Sequence, residues 1–344
     1  MKYRAILILF FVLTLPLLSS EPKTVKLTFS PETTYLMEPQ LPDGRIDYIA
    51  ALNKQLAAQT TPENNLIAGI FPLVPGEVKE FLTWADTTEE ELPKAIQKYR
   101  ERFGKMLGLG AVTPPLNAPI WFGPVSAFTE DSEKELLEFY TKEELAAMSE
   151  KCRELDKNHY KSRLDEGKIT QEKYDTEIKR IETETTEKFY RCILGKQFQE
   201  SLRHPWTAKE YPYIAKWLAS TDEQGEKLMD IIRQRTGYYH PLLSHDEDSN
   251  LMYAVMFPYL QSLRSMARYF NCRGNFEFAR GHFDQAMECA FASVRLGQTI
   301  RPGSSTIVED LVGIATIGVG HGQLTTYLAN LPKEKDTTWI LQKK

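Results

Sequence analysis

The spacing of apolar residues constrains this chain more than any other feature. Across most of its 344 residues they recur at steps of three and four, and no run of β-branched residues alternates long enough to form a half-buried strand. The pattern predicts an all-α protein that buries apolar stripes helix against helix, with little sheet. Ile46, Ile49, Ala50 and Leu52 begin a helical pattern that runs to about Ala58. Thr61-Pro62-Glu63 reads as a helix start, with Thr61 as N-cap and Pro62 at the first helical position. That helix carries Leu66, Ile67, Ile70 and Phe71 inward. Thr88 with Glu91 opens another, which holds Ile96, Tyr99 and Phe103. Gly108 to Pro124 reads as an irregular loop around Trp121-Phe122.

The middle of the chain differs in character. Thr141 and Glu144 form a capping box, Thr170 caps a second helix, and Gly167 stops the first. Leu145, Met148, Cys152 and Leu155 make one narrow seam, and Tyr174, Ile178, Ile181, Thr185, Phe189 and Cys192 make another, both on highly charged helices. Two such seams predict a protruding antiparallel helical hairpin of coiled-coil type, a solvated arm whose charges balance. Folding it at Gly167 sets Cys152 opposite roughly residue 184, about 12 Å out of register with Cys192 at 1.5 Å per residue. These two cysteines are therefore expected to stay unpaired with each other.

From His204 the pattern becomes globular. Thr207 and Glu210 form a capping box with Trp206 and Tyr211 as a hydrophobic staple, and Pro212 lies deep enough to predict a 3₁₀ or kinked first turn. Ile214, Leu218, Leu228 and Ile231-Ile232 continue the stripe, and Gly237 to Pro241 reads as a loop. Helices are expected over Met252 to Phe278 with a kink near Pro258, over Phe283 to Leu296, and from Ser304 or Ser305 to about Leu328. Together these readings give a turn-rich segment over 21–45, an N-terminal helical region over 46–128, the charged hairpin over 129–203, a C-terminal helical domain over 204–332 and a tail over 333–344.

Residues 1–20 have the layout of a secretory signal: Lys2 and Arg4, then an apolar run from Ala5 to Leu18, then Ser19-Ser20. The run is short for a membrane span. An uncleaved anchor is the other option, because Leu18 fits poorly three places before a cut after Ser20. The expected location is exported: periplasmic, extracellular or envelope-associated. The net charge of −5, or −7 once Lys2 and Arg4 are removed, argues against nucleic acid as a partner and against a polybasic membrane surface. Contact with a membrane is expected only through an uncleaved leader. Four cysteines make neither a disulfide scaffold nor a zinc pattern.

Arg273-Gly274-Asn275 followed by Ala279-Arg280-Gly281-His282-Phe283-Asp284-Gln285-Ala286 resembles one tetratricopeptide repeat, at about residues 264–297. Gly274 and Ala286 are the small residues where two helices would touch. Glu277 and Ser293 depart from the repeat pattern, and no second copy appears at that period. Folding the hairpin at Gly281 brings Cys272 near Cys289, the one pair for which a disulfide is worth testing. The alternative is two thiols in an apolar interface.

A wider resemblance rests on the order of segments. Asp43-Gly44 with Asp47-Tyr48 and Ala51-Leu52-Asn53 comes first, then Thr61-Pro62-Glu63-Asn64-Asn65. Pro205-Trp206-Thr207, Trp217-Leu218 and Tyr238-Tyr239-His240-Pro241-Leu242 follow, and Glu309-Asp310-Leu311-Val312-Gly313 closes the series. This order resembles a family of uncharacterised exported proteins of planctomycete-type bacteria. The resemblance covers most of 43–322 outside the charged hairpin, which reads as an insertion. It implies export and a helical body, transfers no catalytic residue, and suggests a C-terminal portion running on past Leu331.

Candidate chemistry is sparse. His240, His245, Asp246, Glu247 and Asp248 are the densest set of metal-ligand types, with His240, His245, Asp246 and Asp248 the candidate ligands. A polar surface loop explains them equally well, because no helical pair fixes their geometry. Gly318-Val319-Gly320-His321-Gly322 lacks the context of a phosphate loop and suits close helix contact, while Glu309 and His321 would pair if they met. The aromatics Trp206, Tyr211, Tyr213, Trp217, Tyr238 and Tyr239 would line a groove or form a core, and the spacing of Tyr213 and Trp217 favours the core. No cofactor is implied. The expected function is that of a non-catalytic scaffold or binding protein of the cell envelope that contacts another envelope protein. An envelope hydrolase or metal-binding enzyme with a site near Tyr238–Asp248 and His321 is the alternative.

Overall fold

The computed structural model describes residues 36–73, 88–109, 136–185, 189–244 and 255–332. Among them are eleven α-helices, one 3₁₀ turn and a two-residue antiparallel ladder, so the chain is all-α. The expected leader, the Trp121-Phe122 loop, residues 245–254 and the tail from 333 lie outside the described residues.

The first of two compact units ends at Ala51. In it Gln40 and Ile46 make an antiparallel bridge around Gly44, whose φ of +83° suits the residue that lacks a Cβ. Helix α1 (Tyr48–Ala57) starts where the Asp47 carboxylate accepts the Ala50 N–H at 2.9 Å.

The unit from Leu52 onward holds the remaining helices. The expected helix at Thr61 begins later. Thr61 organises a single turn, and α2 (Leu66–Ile70) is capped by Asn65, whose side chain accepts the Ile67 N–H. The shift has a physical cause, since the Leu66 N–H goes to the Gly237 carbonyl and the Pro62 carbonyl goes to the Arg235 guanidinium. Helix α3 (Leu92–Met106) follows the expected Thr88–Glu91 start and buries Tyr99 and Phe103.

The arm is α4 (Lys142–Asp165) and α5 (Gln171–Thr183), with the capping box at Thr141 and Glu144 formed and Gly167 at φ +69° after α4. Its second helix is shorter than its seam suggests. Arg153 of α4 donates to the carbonyls of Ile181, Glu182 and Glu184 and sits over the Phe189 ring, which closes the end of α5. Tyr190 and Ile193 therefore belong to a separate helix, α6 (Tyr190–Ser201), which Phe189 precedes as N-cap and which packs on the body.

Helix α7 (Pro212–Ser220) also starts late. Glu210 does hold the Thr207 N–H and hydroxyl, but Pro212 occupies the first helical turn without a kink, and Trp206 meets Tyr211 at a centroid distance of 5.6 Å as the staple requires. After α8 (Asp222–Gln234), strands β1 (Leu243–Ser244) and β2 (Val255–Met256) make the short ladder. Three long helices follow: α9 (Pro258–Ala279), α10 (Phe283–Ile300) and α11 (Ile307–Asn330). Pro258 opens α9 instead of kinking it.

Small residues bring these three helices together. A Cβ on Gly274 of α9 would lie 2.7 Å from the Tyr327 hydroxyl and 3.1 Å from Cys289 Cβ. A Cβ on Gly297 of α10 would overlap the Gly313 carbonyl oxygen and stand 2.6 Å from Ile317 Cγ1 of α11. The larger core lies beside them. Wholly buried Trp206 stacks on Phe276 at 4.7 Å and donates its Nε1–H to the Cys272 carbonyl at 3.3 Å.

Candidate functional site: a buried polar fastening around Tyr238–Leu243

Residues 238–242 have no regular secondary structure, yet all five are buried. Buried backbone needs hydrogen-bond partners, and here two asparagines supply them in place of a ladder. Asn65 accepts the Tyr239 N–H and donates to the Tyr239 carbonyl, both at 3.0 Å, while still capping α2. Asn53 of α1 accepts the Leu242 N–H and donates to the Leu242 carbonyl, both at 2.8 Å, and also accepts the Tyr239 hydroxyl at 3.1 Å. Each amide imitates a strand neighbour. Arg235 completes this side by donating to the carbonyls of Pro62 and Asn65 at 2.6 and 2.9 Å, and Gly69 leaves room for it.

The opposite side is held by Glu309 in the first turn of α11. Its carboxylate is fully buried and satisfied by five donors: the Tyr238 hydroxyl at 2.9 Å and the backbone and hydroxyl groups of Ser305 and Thr306. The charge also lies at a helix N-terminus, where the backbone dipoles favour it. Burial, and then the facing Glu309 carboxylate, push the Tyr238 phenol well above its ordinary range.

His240 points into the aromatic core, with its ring centroid 5.1 Å from Phe103, 5.5 Å from Phe257 and 6.1 Å from Tyr259. Its Nδ1 bonds the Pro241 carbonyl at 3.0 Å, and Nε2 has no partner among the described residues. Burial lowers its pKa from the ordinary 6.5 to about 4, although Glu309 pulls the other way. At neutral pH His240 is an uncharged core residue with Nδ1 as the donor.

The structure does not bring the sequence candidates together. His240 is buried, whereas His321 is exposed on the outer side of α11. Glu309 and His321 do not pair, since they stand about 18 Å apart along one helix and Glu309 faces inward. His245, Asp246, Glu247 and Asp248 lie outside the described residues. Among the described residues no three His, Cys, Asp or Glu side chains gather as a metal site. Trp206, Tyr213, Trp217, Tyr238 and Tyr239 are core residues, not the wall of a groove. Cys272 and Cys289 are buried free thiols, both pushed up to about 12 by burial, and the Cys272 Sγ lies 3.2 Å from the Ser201 hydroxyl.

A shallow charged cleft of about 190 Å³ opens between α8, α9 and α10. Its groups pair with their neighbours: Arg273 with Asp222 and Glu226, and Arg233 with Glu288. Fold and site together define an all-α protein whose polar centre acts as a fastening, because its donors and acceptors are spent on its own backbone. Searches of family models, curated proteins and solved structures return no match to this chain.

Proposed function

We propose that this chain is an exported helical scaffold of the cell envelope that pairs with a second copy of itself through α11. The apolar leader with Lys2 and Arg4 supports export. The observation that carries the pairing is the outer face of α11, where Ile307, Val308, Leu311, Ile314 and Leu328 are 45–76% exposed, an unusual density of large apolar groups on one helix. Along the stripe the first half is bulky (Ile307, Leu311, Ile314) and the second half small (Gly318, Gly322, Thr325, Ala329), and all seven are exposed. Among the described residues nothing lies within 4 Å of a Cβ placed on Gly318 or Gly322.

An antiparallel pair centred on Gly318 seats Ile314 over Gly322, Leu311 over Thr325 and Ile307 over Ala329 of the other copy. Bulk meets space at every step, and the two-fold axis makes the contact self-complementary. A parallel pair would set bulk against bulk and leave a gap at the glycines. No charged residue lies on the stripe. Two helices in contact over 24 residues bury on the order of 700–1,000 Å² in total, which puts the pairing among weak, transient interfaces.

Sedimentation velocity from about 1 to 300 µM tests the reading in a range suited to weak pairing. Wild type is expected to pass from monomer to dimer. Leu311→Asp and Gly322→Leu are expected to stay monomeric with unchanged helix content, because neither side chain touches its own core. A wild type that remains monomeric, or a Leu311→Asp variant that pairs equally well, refutes the proposal.

A further inference from the structure

The arm is fastened almost entirely at one point. From Arg153 to Thr183 it runs through the second half of α4, the turn at Gly167 and the whole of α5, and Ile181 is the single buried side chain in that stretch. The first half of α4 is different. It begins with the capping box, α4 packs on α6 as well as on α5, and its buried residues, Leu145, Ser149 and Cys152, all precede Arg153. Helix α5 is 13 residues long and packs on α4. A helix of that length is marginal in water without tertiary burial.

The fastening lies at the C-terminal end of α5. Arg153 of α4 donates to the carbonyls of Ile181, Glu182 and Glu184 at 3.5, 3.3 and 2.5 Å. Its cation also sits where the α5 backbone dipole is negative. Lys157, one turn further along α4, pairs with Glu182 at 3.4 Å. We propose that α5 is a strap that releases from α4 and refastens as a unit, with Arg153 as its latch, while α4 and the helical body stay folded.

The remaining contacts fit a strap. Arg180 pairs with Glu177 and Glu184, which lie on α5 or directly after it, so these pairs favour the helix without tying it to α4. Exposed ion pairs such as Lys157–Glu182 add little. At the tip, among the described residues nothing lies within 4 Å of a Cβ placed on Gly167. Release gives up the Ile181 contact, the Arg153 bonds and one exposed ion pair, and it returns backbone entropy to every residue of α5. Helix formation is cooperative, so the segment leaves and returns together. The strap lies on the arm and does not depend on pairing through α11.

Hydrogen exchange of the full chain, read by mass on proteolytic peptides, tests this. Peptides over 171–183 are expected to show protection of about 10- to 1,000-fold, and those of α9 and α10 at least about a hundredfold more. Arg153→Ala is expected to speed exchange in α5 by about tenfold or more and to leave α9 and α10 unchanged. Thr176→Ala, at an exposed position where alanine is the better helix former, is expected to slow exchange in α5 about threefold, again without effect on α9 and α10. Protection of α5 equal to that of α9 and α10, or no protection at all, overturns the proposal without any variant. So does either variant if exchange in α5 does not change, or if α9 and α10 shift as much as α5.

Discussion

Removal of the Asn65 side chain tests whether amides fasten the buried segment. Asn65→Ala deletes three hydrogen bonds at once and strands the N–H of Ile67 and both the N–H and carbonyl of Tyr239. Asn65 is only 1% exposed, so water does not replace the lost partners. A buried backbone group left unpaired costs about 1–3 kcal/mol, and three of them give a loss of about 3–9 kcal/mol. Asn65→Asp separates the roles of the amide. Its carboxylate keeps both acceptor bonds but turns an oxygen toward the Tyr239 carbonyl, where the wild type donates. Burial and that carbonyl favour the protonated acid, which donates again, so the folded pKa of the introduced carboxyl rises above its unfolded value near 3.9. The variant is therefore closest to wild type near pH 4 and falls behind as pH rises through the folded pKa. Urea unfolding at pH 4.5 and 7, followed by circular dichroism, measures both effects. A loss under 1 kcal/mol for Asn65→Ala, or a pH-independent deficit for Asn65→Asp, would refute the reasoning.

His240 makes a second pH-dependent contribution of opposite slope. Its folded pKa is about 4 against about 6.5 when unfolded, so the fold is most stable above pH 6.5 and loses up to about 3 kcal/mol as pH falls toward 4. In His240→Gln that part of the slope disappears, and a wild-type-minus-variant difference that stays flat from pH 7 to 4 would contradict it. At the α10–α11 contact, Gly297→Ala is expected to destabilise by about 1–3 kcal/mol, because its Cβ meets a backbone oxygen that cannot turn aside. Gly318→Ala, where nothing is near, is expected to stabilise the dilute protein by about 0.5–1 kcal/mol through helix propensity, and equal effects at the two sites would defeat the packing argument.

Local signals in the sequence were legible where local forces decide. The Thr141 and Thr170 caps and the glycines at 167 and 281 stand where side chain–backbone chemistry puts them. The starts of α2 and α7 were not. At α2 the deciding acceptor is the Gly237 carbonyl, far along the chain, and at α7 a proline outcompetes an intact capping pair. The arm misled for another reason: the three-and-four spacing runs on through Phe189 and Cys192, although Arg153 has already closed α5. The fastening was not visible. Asn53, Asn65, Tyr238–Leu242 and Glu309 lie far apart along the chain, and nothing in their spacing announces that they meet. The exposed apolar face of α11 was missed because helical periodicity shows the buried stripe and leaves the other side unread.

The amide at position 53 reaches a residue 189 places further on. A ribosome adding about 5–20 residues per second spends roughly 10–40 s between emitting one and the other. Throughout that interval the early helices have no completed seat, so folding cannot keep pace with synthesis segment by segment. The first part of the polypeptide waits, and a chaperone that shields it has until residue 242 emerges before its task is done.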